Sequence, residues 1–276
     1  MSTASASPFG TAWFGALASS STVVPGLPGS LRVGTIALDG GETAVLLAVV
    51  PDADARFPRA RSGEVGLEEG YALAEVVTGI VTADAGTDSR RPIVTVIDVP
   101  GQAYGYVEEL VGIHQSLAAS TNAFATARLA GHPIVSLMVG NAISGAFLAT
   151  GLQANRLVAL DHDGIAVQVM SKQSSARITR RSIAELDAVA EKFPATAYDG
   201  ASFAKLGALH DLVHVESPAA PTAADVALVT TSVSLAVASV RAGSSDLRSR
   251  LSSPEARTVR ASSVLVRQRV AEAWDI

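Results

Sequence analysis

The chain contains no cysteine, and this absence excludes several kinds of chemistry. Its 276 residues offer no disulfide, no thiol nucleophile and no cysteine-ligated metal. The five histidines show no pair at metal-ligand spacing on one predicted helix, so we expect no metal site. Long apolar runs are also missing. Residues 44–50 and 134–139 fall far short of the roughly 18 residues that a membrane-spanning helix needs.

A strong excess of charge is missing as well. The net charge is −5 and charged residues make up 17% of the chain, with no basic stripe. We therefore expect neither nucleic acid nor a membrane surface as a partner. The first basic residue is Arg32, so the charged start of a signal peptide is absent and we expect a cytoplasmic protein. Apolar residues make up 48%, which is typical of a globular protein with a full core.

Apolar runs and amphipathic stretches alternate through the middle of the chain. The predicted strands are residues 31–37, 43–50, 93–99, 134–139, 156–160 and 165–169. The DGG turn at residues 39–41 joins the first two and predicts a hairpin. The predicted helices are residues 67–81, 106–130, 144–153, 182–192, 198–206 and 223–240. Short connections between strands and helices predict an α/β fold with parallel pairing. Periodicity alone leaves a spiral of strand-strand-helix units and a Rossmann-like sheet both open.

The two ends of the chain differ from this middle part. Residues 1–30 are rich in Ser, Ala, Gly and Pro, and they predict a partly flexible N-terminal arm. Trp13 and Phe14 are its one apolar anchor, which we expect to dock on a core. Residues 245–276 are charged and predict a C-terminal helical extension.

Two strand-to-helix turns are the most informative features. They are VIDVPGQ (residues 96–102) and SLMVGNAISGA (residues 136–146), each with a β-branched apolar run before a predicted helix. Glycine lets backbone approach a ligand, and a helix start offers free N–H groups. Two such turns facing one cavity suit the enolate or oxyanion of an acyl thioester.

These turns supply the predicted catalytic residues. They are Gly101, Gln102, Gly145 and Ala146. Pro100, Asn141 and Ser144 stand beside them and are predicted to bind substrate. Simpler interpretations stay open: a plain turn at Pro100, a buried and satisfied carboxylate at Asp98, and a helix N-cap at Ser144. A nucleophilic Ser144 would need a base, and the nearest downstream histidine, His162, lies in a predicted turn.

Two further segments carry candidate binding groups. Arg61 begins the glycine-rich stretch RSGEVGLEEG (residues 61–70), which could cover a pantetheine-bearing ligand or a partner surface, or could simply start a helix. Arg177, Arg180 and Arg181 form a basic cluster. That cluster suits a phosphate, an acidic carrier protein, or merely a solvated face.

Residues 92–182 resemble the carboxyl-transferase half of biotin-dependent acyl-CoA carboxylases. That family carries IDTPGA and GEGGSGGALA turns, where this chain has IDVPGQ (97–102) and GNAISGAFLA (140–149). A longer resemblance is to gamma subunits of biotin-independent malonate decarboxylase. It is carried by four motifs: RARSGEVGLEEG (59–70), VPGQAYG (99–105), SGAFLA (144–149) and GLQANR (151–156).

This resemblance implies a fold and a function. It implies a crotonase-like ββα spiral, of carboxyl-transferase type, over residues 31–244. It also implies a heterodimer with a beta subunit of the same fold. The substrate would be a malonyl thioester on the phosphopantetheine-type group of an acyl carrier protein. Loss of CO₂ would leave acetyl-carrier without biotin and without a cofactor bound directly to this chain.

The sequence leaves three further functions open. Residues 139–148 are also similar to the nucleophile segment of Clp-type serine peptidases, although the glycine and alanine follow Ser144 one residue early. A biotin-dependent carboxyl-transferase subunit would share the fold. A non-catalytic scaffold subunit would tolerate bulky substitution at Gly101 and Gly145.

Overall fold

The fold is described here for residues 9–274 of a computed structural model. The strands are β1 (Ser20–Thr22), β2 (Leu31–Ala37), β3 (Thr43–Val49), β4 (Ile93–Val99), β5 (Ile134–Ile143), β6 (Arg156–Leu160), β7 (Ala166–Gln168) and β8 (Asp211–Val213). The helices are α1 (Phe9–Leu17), α2 (Leu67–Ala83), α3 (Tyr106–Val111), α4 (Ile113–Leu129), α5 (Ser144–Thr150), α6 (Lys172–Thr179), α7 (Ile183–Lys192), α8 (Gly200–Lys205), α9 (Ala223–Arg241), α10 (Ser249–Ser252), α11 (Pro254–Val259) and α12 (Ala261–Trp274). Single 3₁₀ turns occupy Ala60–Ser62 and Pro194–Thr196.

The strands form one mixed sheet in the order β1-β2-β3-β4-β5-β6-β8, with β7 paired to β5. The β1–β2 and β2–β3 pairs are antiparallel, and the other pairs are parallel. Every residue of β4 is buried, which explains why its sequence is apolar except at Thr95 and Asp98. The predicted hairpin is confirmed, and Ala37 and Thr43 are its last paired residues before the turn.

Strand β5 is longer than predicted because it changes partners along its length. Residues Val135 to Met138 pair with β6, and Asn141 to Ile143 then pair with β7. The register against β4 shifts between Ile97 and Val99. The expected loop at residues 140–143 is therefore wrong, because β7 provides these residues with a second ladder of hydrogen bonds.

The predicted helix over residues 106–130 is also wrong in one respect, since it is two helices. Gly112 has φ +95°, a left-handed conformation that ends α3 and begins α4. The exposed apolar side chains of α3 include Tyr106 and Leu110.

Helix α1 lies in the segment where no regular element was predicted. Trp13 is fully buried, and its indole N–H donates to the Pro218 carbonyl at 2.8 Å. The helix packs against β3, β4 and β5, so the expected docking of Trp13 and Phe14 is observed. Residues 1–8 of the predicted arm and residues 275–276 of the predicted extension lie outside the described residues. The divisions at residues 30 and 244 stay predictions.

Helix α9 is long and apolar enough to cross a membrane by length and composition. It packs instead against β5, β6 and β8, with Val229, Val233 and Val237 buried. One face of α9 is therefore part of the core, while Leu228 and Leu235 are exposed. Thr222 caps it, and Asp225 completes a capping box.

Candidate active site

The two turns noted in the sequence meet beside one apolar cavity of about 460 Å³. Because β4 and β5 are parallel neighbours, their carboxyl ends bring Gln102 and Ser144 together. The apolar lining consists of Phe147, Leu148, Leu152, Val167, Val169, Pro194, Ala195, Ala197, Phe203 and Leu206, with Gly145 and the polar Gln168 beside them. Among the residues that the structure describes, no charged side chain lines this cavity.

Gly145 lies directly against the side chain of Gln102. A Cβ atom on Gly145 would lie 3.4 Å from Gln102 Cδ and 3.3 Å from Leu117 Cδ1, and it would overlap Gln102 Oε1. Only a residue without a side chain permits this approach. The first turn is also held from behind. Val65 N–H donates to the Gly101 carbonyl at 3.1 Å, and Ala103 N–H donates to the Val65 carbonyl at 2.7 Å.

The second turn carries an unusual backbone conformation. Ser144 has φ +62°, a backbone conformation that residues other than glycine rarely adopt. Ile143 precedes the helix and supplies no side-chain cap to its first N–H groups. Gly145 lines the cavity, whereas Ala146 is fully buried behind it. The turn therefore presents uncapped backbone donors beside an apolar space.

A second, more polar cavity of about 480 Å³ is lined by two other predicted site residues of these turns. Pro100 and Asn141 line it together with Lys172 and Tyr198. Lys172 Nζ lies 2.7 Å from an Asp187 carboxylate oxygen and 5.5 Å from the Tyr198 ring centroid. Ala197 lines both cavities, so the two spaces are neighbours.

Arg61 is exposed and lines neither of these cavities. Its Nε donates to the Ala55 carbonyl at 3.0 Å. The arginine that contacts the first turn is Arg59, whose guanidinium carbon lies 4.4 Å from the Tyr104 ring centroid. Arg59 also forms a two-pronged pair with Glu64, with N–O distances of 2.6 and 2.7 Å. The hydrogen bond with Glu64 raises the pKa of Arg59 above its usual value.

Asp98 is a buried carboxylate that joins three elements. It accepts the Asn141 N–H at 3.0 Å and the Gly10 N–H at 2.9 Å. These bonds hold β5 near the point where its register against β4 shifts, and they hold the start of α1. Gly140 leaves room for this carboxylate, since a Cβ there would lie 2.5 Å from Asp98 Cγ. Asp98 therefore orients the second turn, and it lines neither cavity.

Sequence reasoning missed much of the cavity wall. Pro194, Phe203 and Leu206 lie about 50–60 residues beyond the second turn. No motif marks them, because they contribute only apolar surface. Within residues 9–274, no group of three or more His, Asp or Glu side chains stands close enough to hold a metal.

The mixed sheet and the paired turns are those of the fold of the crotonase-like carboxyl transferases. A transcarboxylase 12S structure shares this fold with a TM-score of 0.57 and 19% identity, over 77% of this chain and 37% of that one. The sequence model described as malonate decarboxylase gamma subunit matches residues 60–274. The chain belongs to that family.

Solved structures and a curated relative agree with this assignment. A chain of a Pseudomonas malonate decarboxylase hetero-tetramer in complex with coenzyme A is 48% identical, with TM-score 0.88 over 96% of this chain and 100% of that one. A chain of the Pseudomonas MdcD-MdcE hetero-dimer is 46% identical, with TM-score 0.87 over 98% and 100%. The malonyl-S-ACP:biotin-protein carboxyltransferase MADD of Malonomonas rubra is 37% identical over 67% of this chain. The match spans only 64% of that relative.

The predicted family and the predicted crotonase-like fold are thus confirmed. The predicted site residues are divided between two cavities and their surroundings. Gln102, Ser144 and Gly145 line the apolar cavity, and Pro100 and Asn141 line the polar one. Of the predicted site residues, Gly101 and Ala146 are buried and line neither cavity. Their roles stay predictions.

Proposed function

We propose that this chain and a beta-type subunit together form the site that decarboxylates a malonyl thioester carried by an acyl carrier protein. The Pseudomonas relatives assemble as MdcD-MdcE, and one of their structures contains malonate. The name of the Malonomonas rubra relative specifies malonyl-S-ACP as its substrate. These findings support the partner, the acyl group and the carrier proposed for this chain. The thioester would be that of the carrier's phosphopantetheine-type group.

The reaction requires an acceptor for negative charge. The bond between the α-carbon and the carboxylate breaks, its electron pair moves into the thioester as an enolate, and CO₂ leaves. A proton then adds to the α-carbon and gives the acetyl thioester. Backbone N–H groups at Gly145 and Ala146, with those at Gly101 and Gln102, are our candidates for stabilising the developing oxyanion.

The apolar cavity favours this chemistry. A carboxylate loses solvation when it enters a space lined by Phe147, Leu148 and Phe203, and its conversion to neutral CO₂ removes that penalty. Ser144 would contact the acyl group there. Pro100 and Asn141 would border the substrate's path on the side of the polar cavity. Arg61 lies outside both cavities, so its proposed contact would be with the carrier protein or its arm.

The observation that carries this proposal is the contact of Gln102 with Gly145 beside an apolar cavity without charge. The test is release of ¹⁴CO₂ from carboxyl-labelled malonyl-carrier. We would assay this chain alone, the beta-type subunit alone, and the two together, each with and without avidin. Release only from the pair, unaffected by avidin, supports the proposal. No release from any combination refutes it.

Transfer of the carboxyl group to a biotin protein is the second candidate, because the Malonomonas rubra relative is named for that reaction. In that case the same enolate would form, but the carboxyl group would pass to biotin. Avidin would then abolish turnover, and a biotin protein would be required. The avidin arm of the assay therefore separates the two functions.

A peptidase function and a scaffold role have less support. A peptidase would need a base for Ser144, but both ring nitrogens of His162 are bonded to backbone. Nε2 donates to the Val139 carbonyl at 3.0 Å, and Nδ1 accepts the Gly164 N–H at 3.0 Å. Labelling by a fluorophosphonate probe that disappears in Ser144→Ala would support a peptidase. A scaffold role would be supported if bulky residues at Gly101 and Gly145 left the complex active. We also propose that the complex works in the cytoplasm.

A further inference from the structure

Strand β5 loses its regular backbone partners over a short stretch just before the second turn. Its pairing with β6 ends at Met138, and its pairing with β7 begins at Asn141. The register against β4 shifts at the same place, because Ile97 pairs with Met138 but Val99 pairs with Ala142. We call residues 139–140 the gap. Backbone groups around it need partners from outside the ladders, since a buried polar group without a partner is costly.

Two side chains supply these partners. Asp98 Oδ1 accepts the Asn141 N–H at 3.0 Å, and His162 Nε2 donates to the Val139 carbonyl at 3.0 Å. The Gly164 N–H donates to His162 Nδ1 at 3.0 Å, which fixes the tautomer with its proton on Nε2. Asp98 and His162 thus hold the chain at the two ends of the gap.

The first turn of α1 contacts both of these side chains. The Gly10 N–H donates to Asp98 Oδ2 at 2.9 Å, so this carboxylate joins α1 to β5. The Phe9 ring lies against the His162 ring, with 4.7 Å between centroids and 56° between planes, which is a favourable arrangement for aromatic rings. We call Phe9, Gly10, Asp98 and His162 the clamp, because together they hold the gap from α1.

The clamp is closely packed at its points of contact. A Cβ atom on Gly10 would lie 2.9 Å from Asp98 Cβ. A Cβ atom on Gly164 would lie 2.8 Å from a Phe9 ring carbon and 2.6 Å from His162 Cε1. Both glycines therefore leave only the room that the neighbouring side chains fill. In such a close-packed arrangement, a displacement of α1 is passed on to Asp98 and His162.

The second turn follows the gap directly. Ser144 stands three residues after Asn141, and its φ of +62° strains a residue that carries a side chain. Such a conformation persists only where the surrounding structure holds it in place. Helix α5 begins at Ser144 itself, so no flexible loop separates the clamp from the Gly145 N–H. A shift of the clamp is therefore carried into the donors of the turn.

We propose that the start of α1 positions the second turn through the clamp, and so aims the N–H groups of Gly145 and Ala146 at the thioester oxygen. The four clamp residues are positioning residues, since they line neither the apolar nor the polar cavity. The thioester oxygen rests on the function proposed above, whereas the coupling of α1 to the turn rests on contacts alone. A displacement of about 1 Å can cost about 10²-fold in rate, so a loosened clamp lowers kcat.

Gly10→Ala tests the clamp, with Gly15→Ala as its matched control. The new methyl group at Gly10 would meet Asp98, whereas a Cβ at Gly15 in the same helix would meet no atom within 4 Å. We would measure ¹⁴CO₂ release by each assembled complex, with assembly checked by size-exclusion chromatography. We expect Gly10→Ala to lower kcat at least about tenfold with KM for malonyl-carrier nearly unchanged, and Gly15→Ala to keep both.

Phe9→Leu keeps the test decisive if the Gly10→Ala protein does not fold. Leucine keeps an apolar side chain at this position and removes the ring that lies against His162. It should lower kcat by a smaller factor, about threefold or more, because the bond between Gly10 and Asp98 remains. An assembled complex of either variant with wild-type kcat would overturn the proposal, because a merely structural role lowers stability without slowing the folded enzyme.

Hydrogen exchange reports on the turn without turnover. We would compare amide exchange in residues 139–150 with exchange in α2, which packs against α4. Both variants should raise exchange at the turn about tenfold and leave α2 at wild-type values, because loss of the clamp opens the turn locally. Unchanged exchange at the turn, or an equal rise in α2, would overturn the proposal. A wild-type complex that releases no CO₂, with a turn that still opens in both variants, would refute the proposed function and leave the clamp in place.

Discussion

Gly145→Ala is the most direct test of the candidate active site. The new Cβ would lie 3.3 Å from Leu117 Cδ1, tighter than ordinary contact, and it would overlap Gln102 Oε1. Carbon atoms separate best at about 3.5–4.0 Å, so the Gln102 amide has to move by about 1 Å. The part that moves is the end of a flexible side chain, so the backbone of the turn can stay in place.

The expected effect on folding is small. Alanine is about 1 kcal/mol better than glycine inside a helix, and this gain opposes the cost of shifting the Gln102 side chain. We expect the free energy of unfolding to change by no more than about 1 kcal/mol. Gly79→Ala is the matched control, because it lies in α2 and its Cβ would meet no atom within 4 Å.

The expected effect on turnover is large. If the N–H groups of this turn stabilise the enolate, blocking them costs about 10²–10³-fold in kcat, or about 2.7–4 kcal/mol. The assay is ¹⁴CO₂ release by the assembled complex under saturating malonyl-carrier. Gly79→Ala should retain the wild-type rate. A Gly145→Ala complex with the wild-type rate would refute the assignment of this turn to the reaction.

A double variant separates crowding of Gln102 from direct obstruction of the substrate. Gln102→Ala removes the atoms that the new Cβ would meet. If displaced Gln102 is the cause, Gly145→Ala should cost about tenfold less in the Gln102→Ala background than in the wild type. Equal costs in both backgrounds would instead mean that the methyl group itself fills the substrate's place.

Three further predictions concern stability. Gly70→Ala should cost about 1–3 kcal/mol in urea unfolding, because its Cβ would lie 2.8 Å from the Ser116 carbonyl oxygen where α2 crosses α4; an unchanged midpoint would contradict this packing. Burial raises the pKa of Glu69 in the folded protein. Its contribution to the free energy of unfolding is therefore present below the usual glutamate pKa of about 4.3, and it is lost as pH rises through the raised pKa. Unfolding of wild type and Glu69→Gln at several pH values should therefore show the wild type losing stability relative to the variant as pH rises, and parallel curves would contradict it. Asp98→Asn should cost about 1–3 kcal/mol in the same measurement and loosen α1, because the amide cannot accept both backbone N–H groups; unaltered proteolysis near Gly10 would argue against that role.

The sequence was sufficient for the central elements because their signals are local. The run at Ile93–Val99 is apolar almost throughout and is a fully buried strand. The DGG turn at residues 39–41 led to the correct hairpin, and both strand-to-helix turns were recognised from glycine after a β-branched run. Motif spacing over residues 59–156 was enough to identify the family, which the comparisons then confirmed.

Packing in three dimensions set the features that depend on partners distant in sequence. Asn141 to Ile143 form strand because β7 lies beside them and Ala142 also pairs with Val99 of β4. Helix α1 is held by a carboxylate 88 residues away. Pro100 and Asn141 line a different cavity from Gln102 and Gly145, a division that no local sequence pattern indicated. Apolar cavity walls carry no motif, because the shape of a cavity arises only when the chain packs. Local patterns thus defined the strands, the turns and the family, whereas contacts between remote segments shaped the cavities that those turns face.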